Sequence, residues 1–254
     1  MRIAAISAVI VLAMLSLSPQ SADAQGRRGS AEETLLQSAN RERAGRGLPP
    51  YKWSAALAAA ARDHALRMAQ QDTLSHQLPG EPELTGRASR AGARFSALAE
   101  NVAEGPSTES IHLQWMNSKA HRENLLDPQL DSVGIAVAER NGTLFAVEDF
   151  SQAVGDLSIR EQERTVEAQL QTHGLTLLNF PEDAHKSCVL DDGFVGSHRP
   201  SFVVHYATPD LQTLPEMLEQ RIKTGKYHSA LVGACPSNRR LGFSSYRVAV
   251  LLFE

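Results

Sequence analysis

Three catalytic signatures are missing from this chain of 254 residues. No serine sits in a glycine-flanked elbow, no His-Glu-x-x-His helix occurs, and no glycine-rich loop could cradle a phosphate. The familiar serine-hydrolase, zinc-protease and nucleotide-binding chemistries therefore have no carrier. A strong excess of one charge is lacking too: 25 Lys and Arg stand against 29 Asp and Glu, a net charge of -4 and a pI near 6.1. That balance argues against a general nucleic-acid binder, which carries a basic face. The longest apolar run, Ile3 to Leu17, falls short of the ~20 residues that span a bilayer. Cysteine is nearly absent. Cys188 and Cys235 have no ligand histidines at suitable spacing and make a poor structural zinc site.

What is present describes an exported globular protein. Apolar residues make up 42% and charged residues 21%, enough for a real core in one large or two modest domains. Met1-Arg2, the apolar run after it and the small-x-small step Ala22-Asp23-Ala24 form a signal peptide over residues 1–24, with Gln25 as the mature start. Residues 25–30 read as a linker. No cysteine lies near the cleavage step, which argues against a lipid anchor. Export and an even cysteine count lead us to expect a Cys188–Cys235 disulfide, with two buried free thiols as the alternative.

Local signals divide the remainder. Ser30-Ala31-Glu32-Glu33 reads as a capping box opening a helix that stops at Gly45. Ser54 caps a second helix to about Gln71, with Leu57, Ala61, Ala65, Met68 and His64 on its apolar stripe. A short helix is expected near Gly86–Gly92, and a further one begins at Pro106-Ser107-Thr108-Glu109 and holds Ile111 and Trp115. Two strands, Val133 to Ala138 and Leu144 to Phe150, meet across Asn141-Gly142, a strong hairpin signal. Beyond Gly155 come a capping box at Ser158 to Glu161, strands at Thr176–Leu178 and Phe202–Tyr206, a helix capped from Thr213, and a final strand from Tyr246 to Phe253. We read 31–153 and 156–254 as two domains. Val133-Gly134-Ile135-Ala136 before Phe145-Ala146-Val147 also echoes Val232-Gly233-Ala234 before Tyr246 to Val250, which looks like two related hairpins.

Chemistry concentrates between Leu74 and Leu126. Leu74-Ser75-His76, Glu100-Asn101 and the run Trp115-Met116-Asn117-Ser118-Lys119-Ala120-His121-Arg122-Glu123-Asn124-Leu125-Leu126 resemble, in that order, the bacterial branch of the CAP superfamily of secreted proteins. The resemblance covers roughly Thr34 to Phe150. It implies an α+β fold, a CAP-type α-β-α sandwich with a central antiparallel sheet; the periodicity and the cysteine pair beyond it read as a smaller C-terminal α+β domain. It also implies a cleft at His76, Glu100 and His121. Ser118 stands where many eukaryotic relatives carry a second cleft glutamate, so the set is a triad, with Ser118, Glu148 and Glu104 as the residues to check for an extra group.

Two imidazoles and a carboxylate can hold zinc or another divalent cation with water in the open position, can handle protons, or can simply bond to one another. His64 reads as a satisfied histidine on a buried helix face, and His112 as a surface or rim residue. His173, His185, His198, His205 and His228 show no ligand spacing. Asn101 and Asn124 read as loop fasteners, Arg122 as a partner for Asp149 or else for an anionic ligand, and Trp115 as core. Three functions follow. The first is a non-catalytic extracytoplasmic module that binds a lipid, a cell-envelope component or a protein, with no nucleic acid and no membrane insertion after signal removal. The second is a metal-dependent hydrolase using His76, Glu100 and His121. The third is a structural envelope protein with a vestigial cleft.

Overall fold

A computed structural model of the chain describes residues 29–236 and 243–254. The signal-peptide and cleavage-site readings, and most of the linker, lie outside those residues. Two four-stranded sheets, each sandwiched between helical layers, form the molecule.

The N-terminal half runs α1 (Ser30–Ala44), β1 (Lys52–Trp53), α2 (Ala55–Gln71), α3 (Leu84–Arg90), β2 (Phe95–Gly105), α4 (Thr108–Asn117), α5 (Lys119–Leu126), β3 (Ser132–Arg140) and β4 (Thr143–Ala153). Its strand order is β1-β3-β4-β2. The three long strands are antiparallel, and short β1 joins β3 in parallel. The α2 stripe Ala61, Ala65 and Met68 packs on Val102, Phe145 and Val147 of one sheet face. On the other face Leu35 and Leu36 of α1, Ile111 and Trp115 of α4 and Leu125 of α5 meet Ile135, Ala146 and Phe150. Ser54 caps α2 by accepting from the Leu57 amide. Asn141 and Gly142 take the positive φ values, 51° and 81°, that the hairpin turn requires.

The C-terminal half repeats this plan: α6 (Ile159–Thr172), β5 (Thr176–Leu177), α7 (Glu182–Cys188), β6 (Phe202–Thr208), α8 (Glu216–Lys223), β7 (Ser229–Cys235) and β8 (Tyr246–Phe253). Its order, β5-β7-β8-β6, is the first order element for element, with β5 again parallel to β7. The two echoing segments fall on equivalent strands, β3 with β4 and β7 with β8. Gly134 lets β3 approach α2 so closely that a Cβ would lie 2.0 Å from the Ala58 nitrogen; at Gly233 a Cβ would lie 2.3 Å from the Ala184 carbonyl carbon in α7. Each first helix also lends a buried glutamate to the third strand: Glu32 accepts from the Val137 amide at 3.3 Å, Glu163 from the Ala234 amide at 3.1 Å. Cys188 and Cys235 are disulfide-bonded, Cα to Cα 5.9 Å, and tie the end of α7 to the end of β7.

Several local readings change. Ser30 is the first helical residue of α1, and Gly29 holds the cap position instead; Glu32 is drawn inward by the β3 amide. Thr213 does not cap α8. Pro215 occupies that position, and the Thr213 hydroxyl donates to Asp210. The edge strand β2 and the helix α7 carry no clear periodicity and were not anticipated. Arg43, 1% exposed, donates to the carbonyls of Pro49, Leu125, Asp127 and Leu130 and so anchors the loop before β3. The halves join where the Val154 amide donates to the Arg94 carbonyl, Arg94 pairs with Asp156 at 2.7 Å, and Phe95 meets Phe243 edge to face at 5.1 Å.

Candidate functional site

Strand β2 presents Glu100 toward the α2 face and Asn101 toward the α4–α5 face, because neighbouring strand residues point to opposite sides. Glu100 stands opposite Asp149, and Asn101 opposite Glu148. The loop after α2 brings His76 over β2, and its Nδ1 donates to Glu100 Oε1 at 2.9 Å. Arg87, from α3, donates through Nη2 to Glu100 Oε2 and through Nη1 to the His76 carbonyl at 3.1 Å. Both carboxylate oxygens are therefore engaged. His121, from α5, faces His76 with ring centroids 6.4 Å apart.

A supporting layer holds these groups. Asn101 Nδ2 donates to the His121 carbonyl at 3.0 Å, and Asn124 Nδ2 donates to the Glu100 carbonyl at 3.2 Å and to Asn101 Oδ1 at 3.1 Å. Both asparagines are loop fasteners. His64, fully buried, donates through Nε2 to the Ser75 carbonyl at 2.8 Å, and its Nδ1 meets Glu81 Oε2 at 2.8 Å. It locks the loop that carries His76. Arg87 and Glu81 are the functional residues that sequence reasoning missed; the only hint was an arginine-rich stretch ahead of β2.

Electrostatics separates the two imidazoles. The hydrogen bond to Glu100 raises the His76 pKa above its ordinary value, although burial opposes it. Burial, then the His76 charge, lowers that of His121. Burial resists ionisation of Glu100, but His76 and Arg87, helped by His64, outweigh it and hold the carboxyl below the usual range. The two imidazoles are thus pushed in opposite directions, His76 by its carboxylate partner and His121 by burial.

The other acids do not enlarge the cleft. Glu148 is fully buried on the opposite sheet face, near Asn101, and burial pushes its pKa up to about 8. Asp149 is buried beside Glu100, and burial followed by that neighbouring charge raises it strongly. Neither carboxyl makes a well-formed hydrogen bond. Glu104 is exposed, and Ser118 sits at the junction of α4 and α5. Arg122 does not pair with Asp149: it donates to the Met116 carbonyl, which closes the turn between the two helices. His112 lies between α4 and α1, 3.8 Å from Glu42. Among the described residues no three His, Cys, Asp or Glu side chains are grouped to hold a metal ion.

Residues 36–150 match the profile of the cysteine-rich secretory protein family, CAP. The uncharacterized protein YkwD of Bacillus subtilis is 29% identical over 109 residues, 42% of this chain and 42% of that one. The chain thus spans less than half the length of that relative. An extracellular protein containing an SCP domain from Bacillus anthracis is 26% identical, over 48% of this chain and 40% of that one, at a TM-score of 0.45. An outer surface protein of Borrelia burgdorferi is 20% identical, over 48% of this chain and 92% of its own, at 0.46. Residues 36–150 thus form a CAP domain. No helix among the described residues is long and apolar enough to cross a membrane.

Proposed function

We propose that the protein is an exported, non-catalytic binding module whose cleft meets its ligand through the His76 and His121 imidazoles, with Glu100 as the group that orients His76. One observation carries this reading: both oxygens of Glu100 are held, by His76 and by Arg87. A general base or nucleophile needs a free oxygen within reach of its substrate, so a hydrolase would first have to break this pair. The partner in this reading is a lipid, an envelope component or another protein outside the cytoplasm.

A divalent cation such as zinc is the small ligand that suits the wall. His76, with Nδ1 on a carboxylate, turns Nε2 outward, and a carboxylate behind a ligating histidine fixes the ring and raises its basicity. His76 and His121 would hold the ion while Glu100 stays behind the ring. Bound there, the ion would supply positive charge and open positions for an anionic group of the larger partner.

Zinc titrated calorimetrically into metal-stripped protein tests this. We expect one site, lost in His76→Ala/His121→Ala and weakened about 10- to 100-fold in Glu100→Gln. Unchanged binding in the double variant would overturn the metal reading. Chelator-sensitive hydrolysis of peptide or cell-wall substrate would overturn the non-catalytic one.

A further inference from the structure

The C-terminal half has a counterpart of this cleft with different chemistry. Strand register defines the equivalence. Gly134 stands opposite Asp149, which stands opposite Glu100; Gly233 stands opposite Ala249, which stands opposite His205. His205 therefore holds the Glu100 position. Both positions receive the loop that follows the second helix. There His76 bonds to Glu100, and here His205 Nε2 donates to the Gly193 carbonyl at 2.8 Å.

The cover differs. Helix α2 has 17 residues and seals Val102 and Val147, whereas α7 has 7 and ends at Cys188. The pair equivalent to Val102 and Val147 is Ala207 and Arg247. Over it opens a cavity of about 380 Å³ whose wall includes Cys188, Asp191, His205, Ser245 and Arg247. Arg247 and His205 are diagonal neighbours on one sheet face. The Arg247 guanidinium donates through Nη2 to the carbonyls of Leu190, 3.2 Å, and Cys188, 3.4 Å. Its carboxylate neighbour is Asp191, 3.6 Å away on a fully solvated side chain. Two carbonyl contacts on one nitrogen leave the rest of a five-donor fork for an anion. His205 commits its Nε2 hydrogen to Gly193, and in the tautomer that carries this hydrogen Nδ1 is an acceptor.

We infer that this cavity binds a small hydroxylated anion, a carboxylate or phosphate ester on a sugar-sized body. Arg247 and the Ser245 hydroxyl take the oxyanion, and His205 Nδ1 accepts from a ligand hydroxyl. Asp191 is the internal competitor for Arg247. The inference is independent of the His76–His121 cleft.

Chemical-shift titrations of the protein with glucuronate, glucose 6-phosphate and glucose test it. We expect saturable shifts centred on residues 205, 245 and 247 with one or both anions, and none with glucose. Asp191→Asn should tighten binding several-fold and Arg247→Gln should weaken it at least tenfold. Ala207→Glu, an exposed position directly opposite Arg247, should also abolish binding while leaving the Arg247–backbone bonds intact. Tighter binding of glucuronate than of glucose 6-phosphate would mark the carboxylate as the group read, and the reverse order the phosphate. The inference is overturned by no saturable shift with either anion in both the parent and Asp191→Asn, by equal shifts with glucose, or by Ala207→Glu binding as the parent does.

Discussion

The two halves share a strand order but not the content of the sheet centre. In the first, the central positions of β2 and β4 carry Glu100, Asn101, Glu148 and Asp149; in the second the same positions carry His205, Tyr206, Val248 and Ala249. The first sheet buries three acids, two of them poorly bonded: Glu100 and Asp149 lie on the α2 face, and Glu148 on the other. The second has no acid at its centre, where His205 and Tyr206 pair with Ala249 and Val248, and it carries a helix of 7 residues and a disulfide. One topology thus carries buried acids at the sheet centre in one half and a disulfide beside a short helix in the other.

The sharpest way to break that comparison is at the shared glycine. Gly134→Ala and Gly233→Ala each force a Cβ into the backbone of the opposing helix, and each should destabilise its half by more than about 4 kcal/mol. Amide hydrogen exchange reads which sheet opens; opening of both sheets in either variant would show that the halves do not fold as similar units. Next come the features the halves do not share. Reducing Cys188–Cys235 should destabilise the C-terminal sheet by up to ~4 kcal/mol in the chain-entropy model and leave the N-terminal sheet protected.

Glu148 gives a pH signature confined to the first half. Its folded pKa, about 8, lies above that of an unfolded glutamate. Between the two values the folded state holds the extra proton, so stability declines as pH rises from about 4.5 to about 8. Glu148→Gln keeps the Asn101 neighbour and should recover several kcal/mol above pH 8, seen in urea unfolding midpoints at pH 5 and pH 9. Equal midpoint shifts at both pH values would count against a buried neutral acid. The smallest effect belongs to the junction: Asp156→Ala removes an ion pair with an 85% exposed carboxylate and should change stability by less than about 1 kcal/mol.

Local chemistry was legible wherever a short-range rule suffices. The Ser54 and Ser158 caps, the Asn141-Gly142 hairpin, the α2 stripe and the last strand form where they were read because each depends on neighbours a few residues apart. Strand β2 was hidden because Phe95–Gly105 mixes polar and apolar residues on both faces, as a strand lined with site groups must. The short α7 is specified by its packing against β7 and not by propensity.

Sequence alone marked the CAP region of the first half, the residues His76, Glu100 and His121 that the fold brings near one another, and the cysteine pair that bonds. Tertiary structure decided how the set is connected. Glu100, on β2, bonds to Arg87 from α3, and Glu148, one residue from Asp149 in the chain, is turned to the far face by the period of the strand. It also decided that the C-terminal half repeats the first topology. The echo between Val133-Gly134 and Val232-Gly233 marked the equivalent hairpins, but the full strand order is written in pairings between residues far apart in the chain.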